Sequence, residues 1–543
     1  MNKPKTIFLI ALHPQKFPFI GESHGICAIS GFLKERYPHT VKTKLYDQQI
    51  DSNSQIIKDI LEYKPSLIGL SLKMYTFSNF VTLYRIFEET VFPVYRPHII
   101  LGNSVAHFSG EDILMKYGYH DVIISLGEGE VSWEDLVQYN DGEINISDVR
   151  NIIYYSNGKS IRTKFEYLDN SLIPIADRTR TLEFYQAGGE VYIEASRGCN
   201  YCGCSICECR DFLGSRSYKN KWRDKSIDNI IQELCHLKSI GISEVTFSDE
   251  DFFGDDSYGI KRALLLTSKI EHCGINISFR INARVHTIYD KYETEDMKIL
   301  RTELLVALKR AGLSKVFLGF ESGVQSQLSR YNKGFSLSEF EVAKSRLEKI
   351  GINYELGYIS IDPLMSRKEL LESLNYIRTN NCIPYISSIY KKLRIQKGNK
   401  LYIRQIRQYE ERHKQKILGD LMFNEQMFEI VGFADKDIAL ICSLMDEYES
   451  HIYKLYYRFR ILTQYDKNIE RDKTYLALVF QTMERLKYND YNLLYELAST
   501  QVLSKVIGRK IVSNYNYNRS QILKLFLRDY KFEIQNKDEN NRL

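Results

Sequence analysis

Short apolar runs alternate with stretches of helical periodicity along most of this chain, and that rhythm leaves few folds open. Between Glu190 and about Ser387, the runs EVYIEAS, SEVTFSDEDFF, NISFRINARV, KVFLGFESG and INYELGYISIDP alternate with helical segments such as SIDNIIQELCHLKSIG, ELLVALKRAG and SEFEVAKSRLEKIG. The runs have strand length, and the segments between them carry apolar residues at helical spacing, so parallel strands joined by crossover helices are expected. Five or six such units are visible, short of the eight of a closed barrel, and we expect a partial, open (β/α)6 barrel over 190–393. Residues 1–150 repeat the rhythm with TIFLIAL, SLIGLSL, HIILGNS and DVIISLGEGE as strands, which predicts a doubly wound, Rossmann-like α/β domain. Ser71, Gly102 and Gly127 stand just past those strands, where sheets of this kind bind ligands. Residues 151–189 are polar, with a turn at Asn157-Gly158, and read as a linker. From 394 to 543 the pattern turns to long helical stretches, with a frayed polar end after Glu533. The tyrosine-rich pieces YKLYYRFR and YNDYNLLYEL in that region read as core and surface.

The balance of 74 Lys+Arg against 69 Asp+Glu gives a net charge of +5 over 543 residues, which does not announce a nucleic-acid binder. The apolar run near the N-terminus is too short for a signal peptide, and nothing approaches a membrane span. A cytoplasmic location is therefore expected, where thiols stay reduced. Ten cysteines are present, and five of them crowd the stretch ASRGCNYCGCSICECR: Cys199, Cys202, Cys204, Cys207 and Cys209. Three arrangements could use such a loop. A structural zinc would want four ligands in paired spacings; disulfides conflict with a reducing compartment; a 4Fe-4S cluster takes closely spaced thiolates. Cys199, Cys204 and Cys207 offer Cys-x4-Cys-x2-Cys, and a cluster held by three thiolates leaves one iron open to a small molecule.

SRGCNYCGCSIC after one strand, FSDEDFFG after the second, RINAR on the third and FLGFESG on the fourth resemble the radical S-adenosylmethionine superfamily. With LSLKMYT, ILGNS and ISLGEGE in the first 150 residues, the layout resembles the subgroup that carries a cobalamin-binding domain. About two thirds of the chain takes part. The superfamily's commonest spacing is Cys-x3-Cys-x2-Cys, so one residue is inserted here. Cys202 occupies the insertion and is the alternative ligand.

This resemblance implies a 4Fe-4S cluster on Cys199, Cys204 and Cys207 whose open iron chelates S-adenosylmethionine. Asp249, Glu250 or Asp251 would accept from the methionyl ammonium, Arg284 would pair with a carboxylate, and Glu321 would bind ribose hydroxyls or the ammonium. In the first domain Ser71, Gly102, Gly127, Glu128 and Gly129 would line a cobalamin site. The subgroup's lower-ligand signature, Asp-x-His-x-x-Gly, is absent, and neither His13 nor His24 fits it. The implied activity is cobalamin-dependent methylation of an unactivated centre in a small molecule. Rearrangement, cyclisation or sulfur insertion without methyl transfer is the alternative, and a non-catalytic metal-binding or electron-transfer module is a distant one. A flavodoxin or ferredoxin is the expected electron donor.

Overall fold

The structure, a computed structural model, describes residues 4–14, 20–212, 222–254, 256–449 and 473–540. Its first sheet contains β1 (Lys5–Ala11), β2 (Val41–Asp47), β3 (Leu67–Ser71), β4 (His98–Gly102), β5 (Val122–Ser125), β6 (Ile152–Ser156) and β7 (Lys159–Arg162). The strand order is β2-β1-β3-β4-β5-β6-β7, and the first five strands run parallel. The continuous apolar run of β1 follows from burial on both faces. Phe8, Ile10 and Leu12 enter one core, and Ile7, Leu9 and Ala11 enter the other. The order reverses between β1 and β3, and that is where a doubly wound sheet opens its ligand crevice.

The expected linker is not all linker. β6 and β7 form an antiparallel hairpin around Asn157-Gly158 and extend the first sheet at its edge. Their outer residues are half-exposed, which is why the segment reads as polar.

In the second region, β8 (Tyr192–Ile193), β11 (Glu244–Phe247), β12 (Ser278–Ala283), β13 (Leu313–Glu321) and β14 (Tyr354–Tyr358) form a parallel sheet in chain order. Five strands are regular rather than six. The sixth place is held by isolated parallel bridges, Leu356 to Ile386 and Ile361 to Lys392. A short antiparallel pair, β9 (Ser196–Gly198) with β10 (Trp222–Asp224), stands at the entrance to the cysteine loop.

The C-terminal region is helical, with helices Lys400–His413, Lys436–Glu449, Lys473–Ser499 and Lys505–Asn540, but it is not purely so. An antiparallel hairpin of β15 (Leu418–Met422) and β16 (Met427–Ile430) interrupts it. The tip of that hairpin docks on the first domain. Tyr75 N–H donates to the Asn424 carbonyl at 2.7 Å, Ser78 N–H donates to Asn424 Oδ1 at 2.9 Å, and Phe423 lies 4.5 Å from the Phe77 ring. Ile438, Ile441, Leu444, Leu493 and Leu497 share one core with the barrel strands. Tyr491 of the YNDYNLLYEL stretch is 1% exposed, as expected of core. The stretch YKLYYRFR lies outside the described residues, and the last helix runs on through the polar end to Asn540.

Candidate functional site

The cysteine loop hangs from β9, and two other segments fix its shape. Asp249, just after β11, accepts from Ala195 N–H at 3.1 Å and from Ser196 Oγ at 2.5 Å. Arg330–Gly334, following β13, is stitched along the loop itself. Tyr201 Oη donates to the Asn332 carbonyl at 2.8 Å, and Asn332 Nδ2 donates back to the Gly203 carbonyl at 2.8 Å. Ser205 donates to the Tyr331 and Arg330 carbonyls at 2.9 Å each. The inserted residue costs the loop a left-handed turn: Cys202 has φ 46°, and its thiol donates to the Cys199 carbonyl at 2.6 Å. Cys202 is thus engaged with the loop's own backbone.

All ten cysteines are free thiols, so no disulfide closes the loop. A single tetrahedral zinc would hold its sulfurs about 3.8 Å apart. Among the described residues, the set of three or more candidate ligand atoms within 4.8 Å of one another is His286, Asp290 and Glu339. No three of the loop's sulfurs are in that set, although Cys209 lies within hydrogen-bonding reach of Cys207. Cys207 is the best prepared of them. A hydrogen bond from Cys209 pulls its thiol down to about 7, Lys333 helps, and burial opposes. The Cys209 amide also donates to Cys207 Sγ at 3.4 Å. Cys199 is pushed up by the Cys202 hydrogen bond and by burial, and Cys204 by burial against Lys333.

The acids assigned from the sequence separate into different roles. Asp249 has both oxygens engaged in bracing β9 and is 1% exposed. Burial pushes its carboxyl up to about 7. Glu250 accepts from Gly198 N–H at 3.1 Å and keeps solvent contact, although surrounding protein pushes it up to about 8. Arg284 is committed to Asp251 at 2.9 Å and stands 5.5 Å from the Tyr201 ring, a clamp on the loop rather than a free cation. Glu321 pairs with Lys333 at 3.5 Å. Lys333 has no signal in the sequence, being a lone lysine in a turn.

Ser71, Gly102, Gly127, Glu128 and Gly129 line one cavity of about 210 Å³ at the β1/β3 switch point, roofed by Trp133 and Phe212. A Cβ placed on Gly25 or Gly102, which also face it, would meet nothing within 4 Å. The cavity walls are mainly apolar with few polar groups, as cofactor sites are. His24 lines it too, with both ring nitrogens buried and neither hydrogen-bonded. Burial, then the nearby Arg178, lowers its imidazole to about 3, so the ring is neutral. A buried polar group without a partner calls for a ligand or water. The two nitrogens, the open glycines and the apolar walls make this crevice the candidate ligand site of the first domain.

Glu128 is not available to such a ligand. It pairs with Arg223, and Arg197 approaches it at 3.4 Å. Arg197 also binds Glu130 at 2.7 Å and Glu194 at 2.9 Å. The acidic loop of the first domain therefore grips the strand that carries Cys199, a role the sequence did not suggest for either Arg197 or Glu128.

No protein-family model matches the chain. Over 385 residues it is 25% identical to the 4'-phospho-dehydrooxetanocin synthase of Priestia megaterium, covering 68% of this chain and 50% of that one. It thus spans about half the length of that relative. An uncharacterized methyltransferase of Pyrococcus horikoshii is 24% identical over 335 residues, covering 60% of this chain and 66% of that one. Among solved structures, the cobalamin-dependent S-adenosylmethionine radical enzyme OxsB, with aqua-cobalamin bound, matches with a TM-score of 0.84. That match is 20% identical and covers 98% of this chain and 81% of that one. The chain has the fold of the cobalamin-dependent radical S-adenosylmethionine enzymes. The radical S-adenosylmethionine methyltransferase TsrM of Kitasatospora setae, with cobalamin and a [4Fe-4S] cluster bound, shares it at a TM-score of 0.62 and 13% identity, covering 95% of this chain and all of that one. On a radical S-adenosylmethionine fold, the cysteine loop at the strand ends and the switch-point cavity are neighbouring places. Phe212, three residues past Cys209, lines that cavity.

Proposed function

We propose that this chain is a radical S-adenosylmethionine enzyme that binds a 4Fe-4S cluster on Cys199, Cys204 and Cys207 and cobalamin in the first domain. The observation that carries the reading is a loop of five cysteines, none in a disulfide, beside the ends of a parallel sheet and a switch-point cavity with an unpartnered imidazole. The cluster would supply the electron that splits S-adenosylmethionine into methionine and a 5′-deoxyadenosyl radical, and cobalamin would supply a methyl carrier. Glu250 is assigned to the methionyl ammonium, since the oxygens of Asp249 are engaged. Glu321 is assigned to the ribose or ammonium side. Ser71, Gly102, Gly127 and Gly129, with His24, are assigned to the cobalamin. Arg284 and Tyr201 hold the loop in shape while a small molecule is bound at the barrel mouth. A flavodoxin or ferredoxin is assigned as the electron donor.

Methyl transfer to an unactivated centre is the assigned outcome. The likeness to a protein named as a synthase rather than a methyltransferase favours a second reading: rearrangement, cyclisation or sulfur insertion without methyl transfer.

Anaerobic reconstitution with iron and sulfide, followed by S-adenosylmethionine and a reductant, tests the first step. The wild type is expected to release 5′-deoxyadenosine; Cys199→Ala, Cys204→Ala and Cys207→Ala are expected to release none, and Cys209→Ala to retain the activity. A fully built cluster that yields no 5′-deoxyadenosine would overturn the proposal. With methyl-deuterated S-adenosylmethionine and cobalamin, label in the product supports methylation and an unlabelled isomer supports rearrangement.

A further inference from the structure

Lys333 is brought to the cysteine loop by the stitching of Arg330–Gly334 along Tyr201–Ser205. Its ammonium lies 3.5 Å from Glu321 Oε1, with the two side chains 12% and 18% exposed. The space for this pair is kept clear by two glycines on neighbouring strands. A Cβ on Gly319 would stand 3.3 Å from Glu321 Oε1 and 3.4 Å from Lys333 Nζ, and one on Gly357 would stand 3.2 and 3.3 Å from the two Glu321 oxygens. Glu321 itself has φ 67°, at a register shift between Leu318 and Glu321 in the β13–β14 pairing. A carboxylate-bearing residue in the left-handed region is uncommon, and conformations of this cost persist mainly at functional positions. The ammonium is also within electrostatic reach of Cys204, Cys207 and Cys199.

We propose that Lys333 and Glu321 form a charge pair that sets the reduction potential of the cluster held by Cys199, Cys204 and Cys207. This rests on the cluster reading above. Reducing a cluster that already carries three thiolates adds negative charge to it. A cation at Lys333 stabilises the reduced form and raises the potential, whereas an anion at Glu321 works against it. The pair keeps both charges close to the sulfurs in a region with little water to screen them. An ordinary structural ion pair would behave differently, because removing either partner would disturb the loop in the same way.

The test is an EPR-monitored potentiometric titration of the reconstituted holoenzyme, with iron per chain measured for each variant. Lys333→Gln is expected to move the potential to more negative values and Glu321→Gln to more positive values. Lys333→Arg should stay near the wild type, and iron content should be unchanged. Shifts of the same sign, or no shift in either glutamine variant at full iron loading, would overturn the inference. Should Lys333→Gln fail to load iron, Glu321→Gln decides alone: a more positive potential supports the proposal and a wild-type potential overturns it. A wild type that binds no cluster at all would overturn the cluster reading itself, and this inference with it.

Discussion

At the scale of single residues, the site is governed by where polar groups find partners. His24 is the clearest case. Its imidazole is held to about 3, far below the ordinary value of 6.5, by burial and by the cations Arg178, Lys225 and Arg197, with Glu233 opposing. The folded chain therefore binds fewer protons there than the unfolded chain does below pH 6.5, and stability must fall as pH drops from 6.5 toward 3. The slope from this group is at most about 1.4 kcal/mol per pH unit. His24→Phe is expected to flatten that limb between pH 6.5 and 5, read as the dependence of Tm on pH; an unchanged slope would contradict the buried, neutral ring. Residue identity also decided what was readable beforehand. Cysteines at close spacing declare themselves, and so do glycines after strands. Asp249 and Glu250 are adjacent and both accept from the β9 segment, yet Asp249 is buried and Glu250 is exposed, a difference set by their positions after β11. Lys333 stands 126 positions after Cys207 in the chain and meets the thiols only through the fold.

At the scale of elements, the regular part of the molecule was legible because strand and helix impose different periods on apolar residues. β1, β3, β4 and β5 and their crossover helices fall where the pattern puts them. What escaped notice were β2, the half-exposed β6–β7 hairpin and the β15–β16 hairpin set among helices, whereas β8 lies within the run EVYIEAS. This last hairpin matters for more than bookkeeping of strands. Phe423 at its tip is 9% exposed and packs its ring 4.5 Å from Phe77 and 4.4 Å from Tyr117. Phe423→Ala is expected to cost ~3–5 kcal/mol of the contact between the hairpin and the first domain. The consequence to measure is faster proteolytic cleavage between Leu421 and Gln426, with the cysteine loop still able to load iron.

At the scale of the whole molecule, buried charged clusters cross the border between the first domain and the region that carries the cysteine loop. Glu22 and Glu233 flank Arg178, which is 5% exposed, and Arg197 is wrapped by Glu130, Glu194 and Glu128. Removing one member of such a buried cluster strands the others, at a cost of ~3–5 kcal/mol. Arg197→Met should lower Tm and weaken cobalamin retention together, checked by calorimetry and by cobalamin bound per chain after gel filtration. Loss of neither would mean that the junction is not what holds the domains.

Arg197 lies two positions before Cys199 and is held by the acidic loop that borders the switch-point cavity. A ligand in that cavity would border the same arginine that stands just before the first thiol. If occupancy of one chamber alters how firmly the other retains its guest, linkage makes the effect equal in both directions. The sequence in which iron and corrinoid are loaded would change the rate of assembly but not the final grip on either.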